Sequence, residues 1–178
     1  GTTSDDKNAS SNIVIKNIKN IDKFKCISDQ IVNSDFFNKK LKKSITEEFS
    51  ENELYEFSSD LVISNATIEH VGGELKQKKM IENIIKLTKK IFIITTPNRF
   101  YPIELHTKIP LIHWFPKSTY RKILKFLGLS FYANEENLNL LSANELKKML
   151  NNQKITYEIK FLKLMFFKSN IIIIGRKI

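Results

Sequence analysis

Continuously apolar, β-branched runs alternate with amphipathic segments along this chain. The runs at residues 60–64, 91–96 and 170–175 are typical of strands that a fold buries on both faces. Between the first two, residues 74–89 repeat apolar positions at helical spacing. Because strands that alternate with helices are joined by right-handed crossovers, the pattern predicts an α/β fold with a mostly parallel sheet.

Shorter patterns predict the remaining elements. They indicate a helix at 11–19, a short strand at 23–28, a helical or irregular piece at 31–41, a weak strand at 43–47 and a helix at 118–127. Ser142 and Glu145 form a capping-box pattern that opens a further helix. Two final strands, within 155–167 and 170–175, are joined by residues 168–169 and predict a C-terminal antiparallel hairpin.

The predicted strands of the parallel sheet stop on polar residues. These strand ends are Ser28-Asp29, Glu47-Glu48, Ser64-Asn65 and Thr96-Pro97-Asn98. In such sheets ligands bind outside the carboxyl ends of the strands. The stretch DLVISNATIEHVGG, residues 60–73, also places Glu69 and His70 just after one strand end. The sequence therefore predicts the rim of a cofactor pocket at this edge.

Composition describes an ordinary globular domain with a basic charge. The 178 residues are 42% hydrophobic and 27% charged, which suits one domain with a sizeable core. The formal net charge is +10, but the basic residues are mostly lysines spread along the chain, with arginine only at 99, 121 and 176. A solvated lysine surface and a functional basic face both remain open.

Other features narrow the compartment and the chemistry. No apolar run approaches the roughly 20 residues of a membrane-spanning helix, and the polar, acidic first residues do not form a secretory signal. A single cysteine, Cys26, excludes an internal disulfide, so a cytoplasmic protein is expected. One cysteine and three scattered histidines lack zinc-ligand spacing, so no metal is predicted.

Two segments resemble a known family. DLVISNATIEHVGG, the helix after it and KIFIITTPNRFYPIELHTKIPLIHWFP resemble class I S-adenosylmethionine-dependent methyltransferases of the type 11 kind. The resemblance is to a bacterial branch with a TPNR-x-x-P-x-E-x-H-T segment after the fifth strand, and ENLNLLSANEL downstream is also similar to that branch. The match runs from about Phe57 onward. It implies a Rossmann-like methyltransferase fold over a single domain, residues 1–178, with about 98–140 as a lid or acceptor-side insert.

The resemblance is thinner upstream. The family has a first strand that runs into a glycine-rich loop, and the chain opens at Gly1 in what looks like the end of that loop. The first strand is therefore expected to be missing. Its place would be the middle of the sheet, so the resemblance implies an exposed strand edge that invites homodimerisation.

The resemblance implies S-adenosyl-L-methionine as cofactor and S-adenosyl-L-homocysteine as product. Asp29 would bind the ribose hydroxyls through charge-assisted hydrogen bonds, and Glu47 or Glu48 would meet the adenine. The remaining implied cofactor contacts are Gly1, Asn65, Ala66 and Glu69.

Methyl transfer from a sulfonium needs alignment, and a base where the acceptor is a hydroxyl. His106 is the first candidate base because it lies on the segment expected to fold over the pocket; the alternative is a backbone hydrogen bond within a lid. His70 is the second candidate, with helix capping as its alternative. The candidate acceptor-binding residues are Asn98, Arg99, Glu104 and His113, although Glu104 is equally suited to pairing with Arg99 and His113 to packing.

The aromatic segment at residues 100–115 is expected to cover an acceptor; a patch that touches lipid or a second subunit is the alternative. Bacterial relatives of this type suggest a small-molecule, sugar or lipid-linked acceptor. Two other hypotheses remain: a truncated, non-catalytic domain that folds, as a dimer, without cofactor, and a basic RNA-binding module. The scattered lysines do not favour the RNA-binding module.

Overall fold

The computed structural model describes residues 24–33, 36–151 and 153–177. The strands are β1 Lys25–Ser28, β2 Lys39–Lys42, β3 Ser59–Asn65, β4 Thr88–Pro97, β5 Ile155–Leu164 and β6 Phe167–Lys177. The helices are α1 Glu51–Phe57, α2 Glu74–Leu87, α3 Lys117–Phe126, α4 Ser130–Ala133 and α5 Ala143–Leu150, with 3₁₀ turns at Ile68–His70 and Ile112–Trp114. Gly1 and the helix predicted at 11–19 lie outside the described residues.

The strands form two sheets. β1 and β2 are a parallel pair, and the larger sheet has the order β3-β4-β6-β5. β3 and β4 are parallel, whereas β6 is antiparallel to both β4 and β5. The α/β class and the C-terminal antiparallel hairpin are confirmed, and the larger sheet is mixed.

Two local predictions were wrong in position. β2 lies at Lys39–Lys42, before the strand predicted at 43–47, because the Ser44 amide bonds the Glu47 carboxylate at 2.9 Å and closes a turn there. The hairpin turns at 165–166 and not at 168–169. Met165 has a φ of 54°, the left-handed conformation that a tight turn requires, while Lys168 already pairs with Lys163 in the ladder.

The main core lies between the larger sheet and helices α2 and α5. Phe92, Ile94, Ile171 and Ile173 point from the sheet into this core and are fully buried. The side chains that alternate with them in β4 and β6 are only part-buried. The strands therefore do not show the burial on both faces that their continuous apolar runs predicted, at least within the described residues.

Capping boxes fix the start of two helices. Ser142 and Glu145 exchange the predicted hydrogen bonds at the start of α5. Ser50 and Glu53 do the same for α1, a helix that the sequence reading missed.

Residues 98–140 carry a second apolar cluster of their own. Tyr120, Leu124 and Leu138 are buried in it, beside α3 and α4. The bridge of Asn98 to Leu141 holds the two ends of the segment together. The Asn98 amide donates to the Ser169 carbonyl of β6 at 2.8 Å, and the Asn139 amide donates to the Glu69 carbonyl in the turn after β3 at 2.7 Å. None of the described helices is long and apolar enough to cross a bilayer.

Candidate functional site

A cleft of about 660 Å³ opens between β1 and β3. Its floor is apolar and includes Met80 and Ile84 of α2, while its walls carry hydroxyl groups. Ser28, Ser44 and Ser64 supply hydroxyls near the carboxyl ends of the strands. The cleft runs along β3 from Ser59 to Ser64 and reaches the carboxyl ends of β1 and β3, the edge at which open α/β sheets bind ligands.

Asp29 and Ala66 both line this cleft. Asp29 is exposed on the bend after β1. Ala66 has a φ of 48°, and its amide bonds the Thr95 carbonyl at 2.9 Å, so the backbone turns sharply out of β3. Asn65 ends β3 and accepts a hydrogen bond from the Thr95 hydroxyl. Asp29 therefore stands on the β1 side of the cleft and Ala66 on the β3 side, next to Asn65.

Glu47 and Glu48 make other contacts. The Glu47 carboxylate accepts the Ser44 amide hydrogen, and Glu48 forms an ion pair with Lys79. The hydrogen bond to Lys79 lowers the pKa of Glu48. Neither residue lines the cleft. Their predicted contact with adenine stays a prediction, without support from these positions.

Glu69 and His70 occupy the 3₁₀ turn that follows β3. Glu69 is 0% exposed, and its Oε2 accepts a hydrogen bond from the Thr96 hydroxyl at 2.9 Å. His70 lines the cleft, and its Nδ1 lies 2.8 Å from the Asn137 carbonyl oxygen. Since a carbonyl only accepts, His70 Nδ1 carries the hydrogen.

His106 reaches back to this turn from the loop after β4. Its Nε2 lies 3.1 Å from His70 Nε2, and the two rings meet edge to face. Its Nδ1 is 2.6 Å from the Glu104 carboxylate. The structure thus brings both candidate bases together, His70 lining the cleft and His106 behind it, with each ring held through its Nδ1.

Glu104 is a buried anion that orients His106. Burial raises the pKa of Glu104, but hydrogen bonds from His106 and Thr107 outweigh this effect and lower it to about 2. The hydrogen bond that His106 donates to Glu104 in turn raises the pKa of His106, against the opposing effect of burial. Glu104 therefore pairs with His106 and not with Arg99, the partner considered from the sequence.

The other predicted acceptor-binding residues hold the loop in place. Arg99 donates to the carbonyls of His113 and Phe115, at 3.2 and 2.8 Å, and the Asn98 amide group donates to the Lys168 carbonyl at 2.8 Å. His113 is 1% exposed and donates from Nε2 to the Tyr101 carbonyl at 2.6 Å. Burial lowers the pKa of His113. These contacts match the packing alternative given for His113.

A buried amide pair, which the sequence patterns did not reveal, supports the Glu69–His70 turn. Gln77 donates to the carbonyls of Ile68 and Asn139, at 3.1 and 2.8 Å, and the Asn139 side chain donates to Gln77 and to the Gly72 carbonyl. Both amides are buried. A glutamine on the apolar face of the helical pattern at 74–89 was the only available signal.

No family model matches this chain, and a search of curated proteins finds no match. Among solved structures, it is similar to magnesium protoporphyrin IX methyltransferase from Synechocystis PCC 6803 with bound SAH, at 13% identity and a TM-score of 0.44, over 79% of this chain and 51% of that one. It is also similar to an O-methyltransferase family protein from Burkholderia thailandensis, at 11% identity and a TM-score of 0.47, over 78% of this chain and 35% of that one. A third similar structure is a SAM-dependent methyltransferase from Methanosarcina mazei, at 14% identity and a TM-score of 0.46, over 79% of this chain and 67% of that one.

The chain spans about half of the Synechocystis structure and about a third of the Burkholderia thailandensis structure. With TM-scores below 0.5, these similarities describe what the chain is like and do not assign it to a family.

Proposed function

We propose that this chain is an S-adenosylmethionine-dependent methyltransferase that acts on a small-molecule, sugar or lipid-linked acceptor. The observation that carries the proposal is the cleft that reaches the carboxyl ends of β1 and β3, where His70 lines it and His106 contacts His70. The sequence resemblance of the 60–73 and 90–116 segments supports the same activity.

The residues that line the cleft fit the cofactor. Its volume of about 660 Å³ falls within the range of about 300–1,000 Å³ that is typical of small-molecule pockets. Asp29 would accept hydrogen bonds from the two ribose hydroxyls, because a carboxylate makes strong charge-assisted bonds. The turn at Ala66 would bring backbone and a small side chain against the bound molecule. S-adenosylmethionine supplies a methyl group already activated by its positive sulfur.

The imidazole pair fits the acceptor side of the reaction. In the proposed step, a hydroxyl oxygen of the acceptor bonds to the methyl carbon while the carbon–sulfur bond breaks and leaves its electron pair on sulfur. An imidazole nitrogen of the pair takes the hydroxyl proton. Glu104 stabilises the imidazolium that results on His106, through the hydrogen bond of 2.6 Å.

The aromatic segment supports an acceptor with an apolar part. Phe100, Trp114 and Phe115 are each about half exposed on the loop that carries His106. Exposed apolar side chains grouped on one loop often mark a ligand or lipid surface. This favours a lipid-linked or aglycone-bearing acceptor over a fully polar one.

The test is calorimetric titration of S-adenosylhomocysteine into the chain, with its mass in solution measured alongside. Micromolar binding, about −8 kcal/mol, is the expected result, followed by methyl transfer to hydroxyl-bearing acceptors in a screen. A folded chain that binds neither S-adenosylhomocysteine nor S-adenosylmethionine would overturn the proposal and favour the non-catalytic alternative. The mass in solution would test the homodimer expected from an exposed sheet edge.

A further inference from the structure

Three potential metal ligands converge where β3 and β4 end. Glu69, His70 and His106 each supply one ligand atom, and these atoms all lie within 4.8 Å of one another. From these contacts we infer that the site binds a divalent first-row transition-metal ion. The sequence predicted no metal because its histidines are scattered, but the fold brings two of the three together.

Hydrogen bonding leaves both facing nitrogens as acceptors. His70 Nδ1 donates to the Asn137 carbonyl and His106 Nδ1 donates to the Glu104 carboxylate. In a neutral imidazole one nitrogen donates and the other accepts, so each Nε2 then has a lone pair. Two lone pairs that face each other across 3.1 Å repel, unless a cation or a proton lies between them.

The Glu69 carboxylate supplies a second, independent observation. Glu69 is 0% exposed, and its Oε1 has no hydrogen-bond partner among the described residues. That oxygen lies 4.0 Å from His70 Nε2. A buried carboxylate oxygen without a partner is costly, and an ion shared with the two imidazoles would satisfy it.

The distances suit a metal after a small adjustment. An ion about 2.1 Å from each of two nitrogens holds them about 3.0–3.4 Å apart, in octahedral or tetrahedral geometry. The two Nε2 atoms are already 3.1 Å apart. Closing the carboxylate onto the same ion requires a movement of about 1 Å.

Groups around the three ligands resemble the outer contacts of metal centres. Metal-binding histidines usually donate their other nitrogen to a carbonyl or a carboxylate. The Asn137 carbonyl accepts the Nδ1 hydrogen of His70, and the buried Glu104 carboxylate accepts that of His106. The Thr96 hydroxyl fixes the other oxygen of Glu69.

The ligand set defines the class of ion and its role. Two imidazoles with one carboxylate favour zinc, manganese, iron or cobalt over calcium or magnesium, which prefer oxygen ligands. Three protein ligands leave open positions, as in catalytic sites. His70 lines the cleft, so an acceptor hydroxyl could bind at an open position, where the ion would lower its pKa. Because the ion would occupy both Nε2 atoms, the hydroxyl proton would then pass to water and not to an imidazole. This role, unlike the site itself, rests on the proposed methyl transfer.

The first experiment titrates Co²⁺ into the tag-free, metal-stripped chain and records its visible absorption, then displaces it with Zn²⁺ and Mn²⁺. One bound ion per chain is expected. His70→Ala and Glu69→Gln should weaken Co²⁺ binding at least about 100-fold, since even outer-contact changes cost about 10- to 100-fold. His70 is 40% exposed, so its truncation should leave the fold intact, which thermal unfolding would verify.

His113→Gln is the matched control because it removes the one histidine outside the cluster. It should bind Co²⁺ as the unmodified chain does. No Co²⁺ binding, or equal binding by the His70→Ala, Glu69→Gln and His113→Gln chains, would overturn the inference. Either result would mean that a proton, and not a metal ion, lies between the Nε2 atoms of His70 and His106.

Cofactor titration keeps this inference separate from the proposed function. S-adenosylhomocysteine binding without Co²⁺ binding would refute only the metal site. Co²⁺ binding without binding of S-adenosylhomocysteine or S-adenosylmethionine would refute only the proposed function.

Discussion

The Nε2 atoms of His70 and His106 lie 3.1 Å apart although 36 positions separate the two residues in the chain. His70 follows β3 and His106 follows β4, and these strands are parallel neighbours. Because parallel strands deliver their carboxyl ends to one edge, the segments that leave them meet there. Glu104 and the Asn137 carbonyl then fix the two ring orientations.

Replacing His106 with alanine should abolish turnover while the cofactor still binds. The variant loses the imidazole that faces His70 and leaves Glu104 without its partner, so the rate should fall by about 100- to 10,000-fold. The methyl-transfer rate with the acceptor found by screening is measured beside S-adenosylhomocysteine affinity. Unchanged turnover would remove His106 from the reaction, and equal losses of binding and rate would indicate a structural role.

Asp29→Ala should weaken cofactor binding and leave stability almost unchanged. The loss of charge-assisted hydrogen bonds to the ribose is worth about 1.5–3 kcal/mol, which is about 10- to 150-fold in affinity. Asp29 is exposed, so the free energy of unfolding should shift by no more than about 0.5 kcal/mol. Calorimetry and urea denaturation measure the two quantities.

Glu47→Ala is the matched control for Asp29→Ala. Glu47 is also an exposed carboxylate, but it closes the Ser44 turn and does not line the cleft. Its replacement should leave cofactor affinity unchanged. A loss as large as that of Asp29→Ala would support the predicted adenine contact of Glu47, and the effect of Asp29→Ala would then not be specific to the cleft-lining carboxylate.

Local sequence patterns identified the elements whose signals are short-range. The Ser142–Glu145 capping box, the apolar strands β3, β4 and β6, and the C-terminal hairpin were all readable because each signal lies within a few residues. The position of β2 was missed because Glu47 reaches back to the Ser44 amide and closes a turn. A contact of this kind leaves no periodic pattern of apolar positions in the sequence.

The candidate site was only partly readable for a different reason. Polar strand ends predicted the edge of the sheet at which His70 and His106 meet, and the two histidines were named separately. Their contact depends on the parallel pairing of β3 with β4, and the partner of Glu104 depends on the path of the loop. Relationships of this kind form between distant segments, so composition and spacing do not reveal them.

His113 should make stability depend on pH in a defined direction. Burial lowers its folded-state pKa, whereas the unfolded chain titrates near the ordinary value of about 6.5. The stability that neutral His113 contributes is therefore complete above about pH 6.5 and is lost as the pH falls towards the lower folded value.

Urea denaturation of the unmodified chain and of His113→Gln, at about pH 7.5 and about pH 5.5, isolates this contribution. The variant carries no titrating group at this position, so its stability deficit should shrink at the lower pH. His106 and the carboxylates titrate in both chains and cancel in the difference. A deficit that is the same at both pH values would contradict the prediction.

Gly175→Ala should destabilise the sheet because Gly175 lies under the ring of Phe92. The two residues are paired across β4 and β6, and a Cβ at position 175 would stand 2.0 Å from the ring carbon Cζ. Phe92 is 0% exposed and packed in the main core, so the ring has little room to move. Overpacking of this kind costs about 1–3 kcal/mol, which a lower urea midpoint would show.

The control is Gly73→Ala, whose Cβ would meet nothing closer than 3.6 Å and which should cost less. Equal effects of the two substitutions would mean that the Phe92 ring yields, and that this glycine is not required for the packing of the sheet.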